Sequence, residues 1–169
     1  MKKLVSISLL TCLVLVSCQI SGLTSGYNHL SKQQKEKIID YNGKIDNISD
    51  FTNVYNVTVE QVKEYLSNHN NVIIYDYTPF CKSSFCLPLN TLEDICKKNN
   101  TDLLVISNIY DDIFLGVTNN FPILMIKTSV YNTKSRAKYI DKFLSIFNWF
   151  KFKKKLFMQA TIIFRMELI

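Results

Sequence analysis

Histidine and arginine are scarce in this 169-residue chain, which has two of each. His29 and His69 stand apart in polar stretches, and no cysteine, histidine or carboxylate cluster has ligand spacing. No metal site is expected from that pattern, and a copper-carrying role for the cysteines would lack its histidine ligand. No cofactor is expected either. A basic stripe is also missing. The formal charge is +6, but Lys2 and Lys3 carry two of those charges and the region from Lys151 onward carries a net four. Residues 18–150 are therefore neutral overall, which argues against tracking a nucleic-acid backbone. Internal repeats and low-complexity blocks are absent. The apolar run Leu4–Val16 falls short of the roughly 20 residues needed to span a bilayer.

What that run does fit is an export signal. Lys2-Lys3 form a basic n-region, and Leu4–Val16 an apolar h-region of secretory length. It ends in Leu15-Val16-Ser17-Cys18, which resembles a bacterial lipobox. The resemblance implies a signal peptide over 1–17, cleavage before Cys18 and acylation of that cysteine, with palmitate among the chains. An ordinary signal peptide is the alternative. Two or three acyl chains anchor a protein stably, at about 0.8 kcal/mol per buried CH₂. The expected location is the bacterial cell envelope, with the domain periplasmic or surface-exposed. Such compartments let disulfides persist. With Cys12 removed and Cys18 lipidated, Cys81, Cys86 and Cys96 remain. Three cysteines permit one pair and one leftover thiol.

Residues 18–30 are polar and small and read as a tether. Residues 31–55 read as a helical extension, with Ser31 capping a helix to Tyr41 that places Ile38 and Ile39 on its apolar side, followed by a polar loop. From 56 the pattern tightens. Thr58 and Gln61 have capping-box spacing, and Val62, Tyr65 and Leu66 recur at i, i+3 and i+4. Val72–Tyr77 is a strand, and a helix is expected from about Ser83 to Lys98 with Leu89, Leu92, Ile95 and Cys96 inward. Leu103–Ile106 and Ile123–Ile126 are buried strands suited to a parallel sheet covered on both faces. Lys134–Phe147 reads as a helix with Ala137, Ile140, Phe143, Leu144 and Phe147 on one side. This alternation predicts an α/β domain.

The strand Val72–Tyr77 runs into Thr78-Pro79-Phe80-Cys81-Lys82-Ser83-Ser84-Phe85-Cys86. A thiol at the start of a helix meets unpaired N–H groups and the positive end of the dipole, both of which favour thiolate. The order of elements around this segment resembles the thioredoxin fold, a three-layer α/β/α arrangement, over residues 56–147. The resemblance places Cys81 at the nucleophile position. It also places Phe121-Pro122 at the loop where such proteins carry a cis-proline and pair backbone with substrate. Two features depart from the family. Ser84 stands where its second cysteine would be, and little chain after Ile126 is available for its hairpin strand. On an intact helix, cysteines five residues apart lie about 7.5 Å apart along the axis. A Cys81–Cys86 bond therefore requires that turn to be unwound.

The segment is also similar to the Thr-Pro-x-Cys-x4-Cys motif of Q-type peroxiredoxins, which would make Cys81 the peroxidatic thiol, Cys86 its resolver and Thr78 the peroxide-binding hydroxyl. Ile74 stands where that group has proline, and no arginine follows the motif before the last helix. The leading expectation is a lipid-anchored thiol–disulfide oxidoreductase with Cys81 and Cys86 catalytic and Thr78, Phe121 and Pro122 positioning substrate. Its partners would be thiols or disulfides of exported proteins. The alternative is a non-catalytic thioredoxin-like binding or accessory lipoprotein with a structural Cys81–Cys86 bridge. Cys96 is read as core packing. Asp76 is read as a proton acceptor or an outward carboxylate, and Asp111-Asp112 as a solvated loop, with the active-site rim as the alternative. The region 148–169 is read as a basic aromatic tail, either membrane-surface-binding or a poorly packed extension.

Overall fold

The computed structural model describes residues 22–83, 86–118, 120–154 and 161–163, with side chains described up to Ile146. The signal segment 1–17, Cys18, Ser84, and residues 155–160 and 164–169 of the tail lie outside the described residues. So does the side chain of Phe147.

Local chemistry sets the first elements. Ser31 accepts from the Gln34 backbone N–H (3.2 Å) and Gln34 Oε1 accepts from the Ser31 N–H (2.9 Å), a capping box opening helix α1, Lys32–Glu36. The helix stops there. Ile38–Asp40 is strand β1, not the helical continuation expected for Ile38 and Ile39, because it pairs in parallel with a partner the sequence concealed. That partner is β2, Val54–Val57, a fully buried strand within the stretch read as a polar loop. Thr58 and Gln61 then form the second capping box, and α2, Val59–Asn68, buries Val59, Val62 and Leu66.

Strand β3 is Val72–Tyr77, and β4 is Asp102–Ser107. Between them lies α3, Leu89–Lys98, which starts later than the expected Ser83. It buries Leu92 and Cys96, while Ile95 is exposed. Strand β5, Ile123–Ile126, follows Pro122. In the stretch Thr128 to Asn132, where the thioredoxin resemblance would need a hairpin strand, Thr128–Tyr131 is a 3-10 turn. Helix α4 runs Arg136–Lys154, and a last strand β6, Thr161–Ile163, pairs with β3. Backbone in the expected tail is thus helical to Lys154 and extended at 161–163. Ala137 is exposed, Ile140 and Leu144 are half-buried, and Tyr139 with Phe143 makes the buried contact.

All six strands are parallel, in the order β1-β2-β5-β4-β3-β6. Helices cover both faces. Val62 and Leu66 of α2 join Tyr139 and Phe143 of α4 over Val57, Ile74, Ile106 and Leu124. Leu92 of α3 lies on the other side with Tyr75, Tyr77, Val105, Ile113 and Met125. The domain is therefore α/β, with the apolar strands buried on both sides as parallel sheets require. No helix among the described residues is long and apolar enough to cross a membrane. The segment read as a tether is docked from Gly22 onward. Ser25 O accepts from the Tyr110 N–H (2.7 Å), Leu23 O accepts from the Arg136 N–H (2.9 Å), and Leu30 is buried.

Candidate functional site

Strand β3 delivers the chain at the carboxyl end of the sheet, where α/β domains place their functional loops. Tyr77 closes the strand, and burial pushes its phenol up to about 12. Its ring occupies the space where a Cβ on Gly116 would sit, with 2.6 Å between them. From there two tight turns follow. The Cys81 N–H donates to Thr78 O (3.1 Å) and the Cys86 N–H to Ser83 O (2.9 Å). Cys81 and Cys86 are joined as a disulfide, with 6.1 Å between their Cα atoms. That span lies within the usual range for a bridge. The loop closes on Leu87, whose carbonyl accepts from the Tyr75 hydroxyl (3.1 Å).

The bridge explains the late start of α3. Helical backbone from Cys81 to Cys86 would hold the two Cα atoms farther apart than the 6.1 Å observed, so the helix cannot start before the bridge ends. Pro88 then takes the N-cap position in extended geometry, and the helix begins at Leu89. Cys81 consequently sits eight residues ahead of the helix rather than at its first turn. The dipole effect expected for its thiol is confined to the first turn of a helix. Both cysteines are half-buried, and the neighbouring Phe80 is exposed.

Thr78, Cys81 and Cys86 are brought together in this loop. Phe121 and Pro122 are not. Ile123 lies level with Val105, and Val105 with Tyr75, so Pro122 lies level with Ile74, three residues before the end of β3. At about 3.3 Å per residue that is about 10 Å toward the amino end of the sheet, whereas Cys81 follows the carboxyl end. No peptide bond among the described residues is cis, so the Phe121–Pro122 bond is trans. Phe121 is buried in the apolar layer beside Tyr75 and Tyr77. The parallel direction of β5 is the physical cause. A proline loop at the start of β5 lies toward the opposite end of the sheet from the thiol loop at the end of β3, which runs parallel to it one strand beyond β4.

Other polar groups gather where the sequence had shown only isolated residues. The Asn108 amide donates to Asp76 Oδ1 (2.8 Å), its carbonyl oxygen accepts from Arg136 Nε (2.7 Å), and its main-chain carbonyl accepts from the buried Tyr139 hydroxyl. Asp76 is thereby engaged by an amide. His29 Nδ1 lies 2.6 Å from Asp111 Oδ1, while Asp112 is an exposed residue in left-handed backbone. His69 bridges Asp102 (Nδ1, 2.7 Å) and Asp46 (Nε2, 2.7 Å) and stacks on Tyr65 at 4.0 Å. Burial opposes its charged form, but the hydrogen bonds to Asp102 and Asp46 outweigh that and hold its pKa above the usual value. Cys96 is buried, and desolvation pushes its thiol up. That is the behaviour of a core residue.

No family model matches this chain, and no curated protein or solved structure matches it.

Proposed function

We propose that this chain is an exported, lipid-anchored α/β binding domain in which Cys81–Cys86 is a structural staple. The observation that carries the reading is the bridge's position in a turned loop eight residues ahead of α3. A thiol there gains little from the helix dipole. The proline loop that would align a substrate lies toward the other end of the sheet. Export and acylation at Cys18 rest on the Leu15–Cys18 motif, and an exported location is where such a bridge endures.

A second reading is a thioredoxin-like thiol–disulfide oxidoreductase, favoured by the half-exposed cysteines on a loop at the carboxyl end of a parallel sheet. In that reading Cys81 thiolate attacks a disulfide of an exported protein and expels one partner thiolate. Cys86 thiolate then displaces the second, leaving Cys81–Cys86 oxidised and the partner reduced.

The reduction potential of the couple separates the two. The full chain, held in non-ionic detergent, is equilibrated against redox buffers and the Cys81–Cys86 state is read by mass spectrometry. A structural bridge lies below about −300 mV, and a potential near or above about −250 mV assigns an exchanging couple and overturns the binding-domain reading. Radiolabelled palmitate incorporated by the wild type and lost in Cys18→Ser tests the anchor.

A further inference from the structure

The sheet carries a second feature at its carboxyl end, separate from the cysteine loop. After β4 the chain turns to the face covered by α3, packing Tyr110 and Ile113 there. After β5 it turns to the opposite face, packing Tyr131 and then Tyr139 of α4. Strands β4 and β5 are neighbours, so their exits diverge and leave a crevice between them. This is the topological switch point at which open α/β sheets take their ligands.

A cleft of about 540 Å³ opens beside this point, between the segment docked on the β4 exit through Ser25 and Tyr110 and the chain leaving β5, within the size range of small-ligand sites. One wall is the docked segment, presenting Thr24, Ser25 and Asn28. The other is the connection from β5 to α4, presenting Thr128, Asn132 and Lys134. The first wall is held by the Tyr110 and Arg136 backbone bonds already described and by His29 against Asp111. The second is shaped by Asn132 in left-handed backbone, with φ of 50°. Among the described residues no carboxylate lines the cleft, and Lys134 is its charged lining residue. The remaining lining is hydroxyl, amide and tyrosine, the tyrosines being Tyr27 and Tyr139.

We propose that this cleft binds a small hydroxylated anion, a sugar-sized polyol carrying one phosphate or carboxylate. Lys134 receives the anionic group, and the asparagine amides and the serine and threonine hydroxyls pair with the ligand hydroxyls. Amides and hydroxyls both donate and accept, which matches the dual character of a polyol. A site with one cation and no carboxylate selects for a single negative group. The site shares no residue with the cysteine loop, so it stands whichever way the Cys81–Cys86 potential falls.

The test is calorimetric titration of the full chain in a polyoxyethylene detergent, chosen because sugar-headed detergents would compete. The probes are glucose 6-phosphate, glucuronate and glucose. At least one of the two anions binds, and glucose binds tenfold or more weakly. Lys134→Gln lowers the affinity for the anion about tenfold or more, as loss of a charged hydrogen bond requires. Lys98→Gln, at the far end of α3, leaves it unchanged. Asn28→Ala provides a second loss on the opposite wall. Binding of glucose 6-phosphate alone assigns the phosphate, and of glucuronate alone the carboxylate. Failure of both anions to bind, or equal binding by wild type and Lys134→Gln, overturns the proposal.

Discussion

Opening the Cys81–Cys86 bridge should lower stability by about 2 kcal/mol without unfolding the domain. The cysteines are five residues apart. Loop-closure entropy for so short a loop is about 7 cal/mol/K, or about 2 kcal/mol at 25 °C, the low end of the range for disulfides. The rest of the loop is tied by the Thr78, Ser83 and Leu87 carbonyl contacts, each with a net value of about 1 kcal/mol. Both apolar layers form from residues outside the loop or at its edge. The folded state should therefore survive in the Cys81→Ser/Cys86→Ser double variant. Urea denaturation followed by circular dichroism measures the loss. With slopes of about 1–3 kcal/mol/M, the midpoint should fall by roughly 0.7–2 M while the slope stays the same. A midpoint shift below about 0.3 M would refute the reasoning, since the bridge would then place little constraint on the unfolded chain.

Three further outcomes follow from the same geometry. Leu92→Ala empties the best-buried position of α3, which is 1% exposed, and should cost about 2–5 kcal/mol in the same denaturation assay. Gly26→Ala puts a side chain on backbone at φ of 74°, with its Cβ 2.6 Å from the Asp111 carboxylate. At a cost of about 1–2 kcal/mol for the left-handed geometry alone, it should release the docked segment. Amide exchange at Tyr110 and Arg136, whose N–H groups bond that segment, should then quicken while the β3 and β4 amides stay protected. His69 has a raised folded-state pKa, so its contribution is fully present below about pH 6.5 and is lost as pH rises through the folded value. The wild type should lose stability across that window, by less than about 1 kcal/mol for so exposed a cluster, and His69→Gln should flatten the profile. A wild-type curve parallel to the His69→Gln curve would remove the cluster from the stability of the fold.

Much of the local architecture was legible because it depends on neighbours in sequence. The Thr58–Gln61 box needs only four consecutive residues, and the apolar runs 72–77 and 123–126 are the observed strands β3 and β5 without adjustment. Ile38 and Ile39 misled because a short apolar pair fits either a helix face or a strand, and the choice was made by pairing with Val54 and Tyr55. Strand β2 escaped because Asn56 interrupts its four residues. That asparagine is tolerated in the core because its amide donates to Asp40 (2.8 Å) and its carbonyl accepts from the Tyr110 hydroxyl (2.5 Å). The polar run from Thr128 to Ser135, placed directly after a buried strand, was the one sequence signal for the switch-point cleft.

By itself the sequence determined the α/β class, the strand that leads into the cysteine segment, and the requirement that a Cys81–Cys86 bond unwind the following turn. Each is a consequence of short-range sterics, capping or apolar periodicity. Only the tertiary structure decided that β5 lies between β2 and β4 and runs parallel to both. Strand direction and order depend on which apolar faces meet across the whole domain. The same apolar run can bury itself in either direction, and its sequence carries no mark of the choice. That choice sets Pro122 toward one end of the sheet and Cys81 beyond the other. It also brings Asp46 and Asp102 onto His69 and opens the cleft between the docked segment and the β5–α4 connection.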